Sequence, residues 1–142
     1  MAISPNVSPG SYLVPIGVVP ATVQGADPVA TDWVSVGDYA WHVLSAVVGA
    51  TAGVVISAQQ AKDGSGTGAK AIDIDGAASV AFIASTDDNT SKLCVLDRVD
   101  YEGGFGFLQI TFTPSDKSDF AGALIGVGPR YEDIGKSVVV PT

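Results

Sequence analysis

From Tyr39 to Ala61 the chain carries no Asp, Glu, Lys or Arg. A stretch of this length is either a membrane-spanning helix or part of a sheet with both faces largely covered. Gly49 and Gly53 sit in the middle of it, Gln59 and Gln60 near its end, and no basic residue flanks it at Asp38. A lipid-spanning helix tolerates these poorly. The letters also alternate. Tyr39, Trp41, Val43, Ser45 and Val47 share one side of an extended strand, and Ala40, His42, Leu44, Ala46 and Val48 the other. Beyond Gly49-Ala50-Thr51-Ala52-Gly53, Val54, Ile56, Ala58 and Gln60 oppose Val55, Ser57 and Gln59. Two β-prone runs joined by small turn residues predict a β-hairpin over Asp38 to Ala61, with no membrane span.

The rest of the sequence agrees with an all-β chain. Only 15% of its 142 residues are charged, 46% are hydrophobic, and there are 17 Gly and 8 Pro. Such a mixture suits short strands and many turns, and the length suffices for one domain with a real core. Further strands are predicted at Thr31 to Val36, Ala69 to Ile74, Ser79 to Ala84, Lys92 to Leu96, Phe105 to Thr113, Phe120 to Val127 and Lys136 to Val140. Lys92 to Leu96 reads as interior to a sheet. The turns between them carry Gly37-Asp38, Asp63-Gly64, Asp75-Gly76 and Pro114. The expected fold is an antiparallel β-sandwich or jelly-roll-like barrel over residues 31–142. Leu44, Val55, Ile56, Phe82, Val95, Leu108, Ile110, Phe112 and Leu124 are its expected core.

Residues 1–30 differ in character. Pro5, Pro9, Pro15, Pro20 and Pro28 recur with glycines between them, and Asp27 is the one charged side chain. Proline interrupts helices and ladders alike. Tyr12, Leu13, Val14, Ile16, Val18 and Val19 are nonetheless too apolar for a solvated tail. An extended arm lying on a partner surface satisfies both facts, and these six residues are its expected contacts. A disordered leader or a first irregular strand of the same domain is the alternative.

Chemistry is sparse. His42 is the single histidine, and no Gly-x-Ser-x-Gly elbow accompanies it; a triad lacks its nucleophile. One His and one Cys cannot make an ordinary zinc site. Asp73-Ile74-Asp75-Gly76 and Asp87-Asp88-Asn89 look like fragments of calcium loops, but the closing Glu is missing, and turn formation explains the same residues. Gly64-Ser65-Gly66-Thr67-Gly68 lacks the Lys-Ser/Thr pair of a phosphate loop. No metal, cofactor or catalytic activity is expected. A net charge of −8 argues against nucleic acid. Cys94, between Leu93 and Val95, reads as a buried small hydrophobe. The opening MAISPNVSPG has no basic segment followed by an apolar one, so no signal peptide is expected, and folding in a reducing cytoplasm is.

Taken in order, TDWVSVGDYAWHVLSAVVGA, GVVISAQQAKDGSGTGAKAI, FGFLQITFTPSD and AGALIGVGPRYED resemble a loose group of small virion proteins of tailed bacteriophages. The likeness runs from Thr31 to Asp133, and Gly128-Pro129-Arg130-Tyr131 is its most distinctive piece. Gln109 departs from it, standing where the group often has Arg. The resemblance implies a non-enzymatic structural protein of the particle: a capsid decoration (cement) protein, a tail component or a head–tail joining protein. The acidic surface and apolar arm favour decoration, with the major capsid protein as partner, a homo-oligomer as the binding form and the virion as location. A carbohydrate-binding β-module is the competing class. It would display at least two of Trp33, Tyr39 and Trp41 on one concave face.

Overall fold

The structure, a computed structural model, describes residues 13–24 and 27–129. Among these, every regular element is a β-strand. They are β1 (Leu13–Gln24), β2 (Val29–Ala30), β3 (Val34–Ser35), β4 (Tyr39–Val48), β5 (Val54–Ala61), β6 (Lys70–Ile72), β7 (Val80–Phe82), β8 (Ser91–Val95), β9 (Phe107–Pro114) and β10 (Ser118–Pro129). No helix of the described residues is long and apolar enough to cross a membrane. The predicted strand at Lys136 to Val140 lies outside the described residues.

Two antiparallel sheets pack as a β-sandwich. The first has the order β1-β10-β4-β8. In the second, β9 and β5 lie side by side; β2 and β3 share the free side of β9, and β7 and β6 share the free side of β5. Each sheet is therefore four rows wide. The pairings nest: β1 with β10, β2 and β3 with β9, β4 with β8, and β5 with β6 and β7. One long antiparallel hairpin, closed by pairing β10 to β4 and β9 to β5, generates this order. It is the strand order of a jelly roll.

The hairpin predicted over Asp38 to Ala61 is corrected at this point. β4 and β5 have the predicted inner and outer faces, but they belong to different sheets and do not pair. Residues 49–53 carry the chain across the sandwich. Gly53 takes φ 109°, open to glycine alone. The Ser118 hydroxyl accepts from the Ala52 N–H at 2.9 Å, the Asp88 carboxylate accepts from the Thr51 N–H at 3.0 Å, and the Thr51 hydroxyl accepts from the Gly53 N–H at 2.9 Å. The backbone groups that leave the ladder thus remain bonded.

Alternation fills the interior. β4 turns in His42, Leu44, Ala46 and Val48; β5 turns in Val54, Ile56 and Ala58; β9 turns in Leu108, Ile110 and Phe112. Phe112 of β9 and Phe120 of β10 stack across the sandwich with centroids 5.2 Å apart. A Cβ on Gly122 would collide with the Phe112 ring, so glycine there lets the sheets close. Two of the expected core residues are misplaced. Val55 is 42% exposed and Val95 45%, because each stands at an outward position of its strand. β8 is an edge strand and not interior, since it pairs only with β4. Cys94 is buried as expected.

Candidate functional site

The residues singled out for chemistry act as loop fasteners. His42 is buried, and its Nε2 lies 3.2 Å from the Val36 carbonyl oxygen. Burial holds its pKa below the ordinary value, with the Val36 contact opposing the shift; the ring is neutral and donates to that carbonyl. The Tyr101 hydroxyl donates to the same oxygen at 2.9 Å. Asp75 accepts from the Val95 N–H at 2.9 Å, and Asp87 from the Ile83 N–H at 2.6 Å. Asp63 accepts from the N–H groups of Ser65 and Thr67, which folds the Gly64 to Gly68 loop back on itself. The Thr67 and Ser65 bonds hold the Asp63 carboxyl below its usual pKa. The Lys70 ammonium, 3.0 Å away, does so for Asp100, with help from the Gly103 N–H. Among the described residues no three His, Cys, Asp or Glu side chains gather as a metal-ligand set.

Gln109, the position that departs from the phage pattern, has a structural task. Its side-chain amide donates to the Thr31 carbonyl at 3.0 Å, and the Thr31 hydroxyl accepts from the Ile110 N–H at 3.1 Å. Together they bridge the gap where the chain leaves β9 between β2 and β3.

The aromatic residues weighed as a carbohydrate platform are dispersed. The Trp33 ring lies over Gly66, whose Cβ would stand 2.8 Å from the indole nitrogen. The Tyr39 ring lies against Gly126, 2.5 Å from where a Cβ would be. Both are half-buried, and only Trp41 is largely exposed.

Surface chemistry separates the two sheets. Outward rows of the second sheet run Ala81–Val55–Thr113, Ser57–Thr111 and Ala71–Gln59–Gln109, mostly hydroxyls and amides. Those of the first sheet run Val95–Val43–Ile125, Leu93–Ser45–Ala123, Ser91–Val47–Ala121 and Trp41–Val127. No charged side chain interrupts these four rows, and Leu93 is 71% exposed, Trp41 53% and Val47 48%. The nearest charge along β10 is Asp119, beyond Ala121 at its start. A contiguous apolar surface of this kind marks an interaction site. Sequence reasoning placed Trp41, Val43 and Val47 on one strand face. Leu93 and Val95 escape it, because the apolar run of Lys92 to Leu96 reads as interior and carries no sign of its neighbour in the sheet.

The arm residues divide. Tyr12 lies outside the described residues. Leu13, Val14, Ile16, Val18 and Val19 belong to β1, which runs along β10 of the same chain at the edge of the first sheet. Ile16 packs against the core, and Pro15 is exposed. The ladder shifts register between Pro15 and Gly17 and again between Val19 and Thr22, the irregularity that proline imposes.

No protein family, curated protein or solved structure matches the chain.

Proposed function

We propose that the chain is a structural protein of a tailed-phage particle, a capsid decoration (cement) protein that binds the outer surface of the major capsid protein and stabilises the shell. The observation that carries this reading is the jelly-roll order of strands, an architecture used by capsid and lectin domains, joined to an uncharged apolar sheet face with no ring platform for a sugar. The sequence likeness to small phage virion proteins points the same way. Fold alone does not carry function; the surface does here.

β1 supplies the capsid contact. It is the outermost strand of its sheet, so one side of its backbone is free of any described strand. A segment of the capsid protein can add there as a further strand, with Tyr12, Leu13, Val14, Val18 and Val19 as the contact strip, Ile16 being taken up by this chain's own core. Binding only to the assembled shell stabilises that shell by mass action.

The test is imaging of intact particles with density assigned to this chain, paired with heat release of DNA from particles with and without it. Density on the outer capsid and earlier release without the chain are expected. Density confined to the tail or the head–tail joint, or none on the particle, overturns the reading.

A further inference from the structure

We propose that the outer face of the sheet β1-β10-β4-β8 is a self-association surface, on which a second copy of this chain packs face to face. It goes beyond the virion reading while sharing the apolar face with it, and the two are tested apart: self-association on the purified chain without particles, the virion reading on intact particles.

Charge selects the occupant. The chain carries 15 acidic residues against 7 basic ones, so two copies repel wherever their ordinary surfaces meet. The rows through Val43, Ser45, Val47 and Trp41 are the exception, because no charge stands in them. Two copies can meet on these rows with little desolvation of ions, the costly part of burying a polar surface, because Asp75 stands beside Val95 at the β8 edge of the face and not within it. A flat face that is its own complement gives an isologous contact with two-fold symmetry.

Relief and size fit the same occupant. Ser45, Ala121 and Ala123 make a shallow centre, bordered by the projecting Leu93 and Val47 and, towards Trp41, by Val43 and Ile125. Projecting side chains of one copy have a hollow to enter on the other, as inner faces of packed sheets do at about 10 Å separation. With strands about 4.8 Å apart and about 3.3 Å per residue, the face measures on the order of 500 Å², so two copies cover about 1,000 Å², the lower bound for a specific interface. Trp41 in such a position is the residue type that anchors interfaces.

The experiment is sedimentation equilibrium of the purified full chain across a concentration series, in the absence of particles. The wild type should reach twice the 14.3 kDa chain mass. Leu93→Asp and Val47→Asp, at exposed positions, should weaken the dimer at least about tenfold while circular dichroism stays that of the wild type. Val55→Asp, exposed on the opposite sheet, should leave it unchanged. A monomeric wild type overturns the proposal and leaves the face to a different chain. A dimer unaffected by both first-sheet variants overturns it too, and places the contact elsewhere.

Discussion

Phe112 meets Phe120 on one side and the bare Cα of Gly122 on another, so the sandwich closes around a single ring. Truncating Phe112 to Ala removes that filling from a fully buried site and should cost about 3–5 kcal/mol in urea unfolding. The reciprocal change tests the same contact from the other wall. Gly122→Ala puts a methyl into the space of the ring and should cost about 1–3 kcal/mol through overpacking. If Gly122→Ala is neutral, the ring has room to move and the sheets are not held at this point. His42 adds a dependence on pH. Its imidazole has an ordinary pKa of 6.5, and burial lowers it in the fold. Below 6.5 the unfolded chain takes up the proton that the native chain refuses, so stability falls as pH drops and levels off below the native pKa. His42→Gln keeps a side-chain donor for Val36 and has no titration; its stability should change less than that of the wild type between pH 7 and about 5.

At the scale of elements, periodicity disclosed faces and concealed neighbours. The alternation in β4, β5 and β9 is plain in the sequence, and Leu44, Ile56, Leu108, Ile110 and Phe112 are buried as it requires. Period two says which side of a strand is apolar; it does not say which strand lies beside it. That is why β4 and β5 read as a hairpin when they are opposite walls of the sandwich, joined by a crossing that Gly53, Thr51 and Ser118 hold in place. The same ignorance hid the apolar face, since Leu93 acquires its meaning only beside Ser45. β1 carries the corresponding prediction. An arm that merely rests on a partner can be removed at no cost to the domain, whereas β1 shares a ladder with β10. Deleting residues 1–24 should therefore lower the melting temperature and expose β10 as an apolar edge prone to pairing between chains. Unchanged melting and unchanged solubility would show that β1 adds nothing to the sheet.

For the whole molecule, the nested order of strands gives the two sheets different outer faces, one of hydroxyls and amides and one of aliphatic side chains with Trp41. The acidic loops sit around them: Asp63, Asp87 and Asp100 are each committed to turn backbone, and Asp75 to the Val95 N–H at the end of β8. This distribution makes salt a diagnostic. An interface built on ion pairs weakens as salt screens them, over a Debye length near 10 Å at 0.1 M. The first-sheet face has no ion pairs to lose. What opposes its pairing is the mutual repulsion of two chains, each of net charge −8, and salt screens that repulsion instead. Raising sodium chloride from about 0.02 to 0.5 M should therefore tighten self-association of the wild type, with the change concentrated in the lower part of the range, where the screening length changes most. The apolar contribution varies far less over the same interval, so the response should level off. Measured by light scattering at fixed protein concentration, a rise in mean mass with salt is the expected result. A fall would mean that opposite charges hold the copies together, and would locate their contact among the loops, not on the rows of Val43, Ser45 and Leu93.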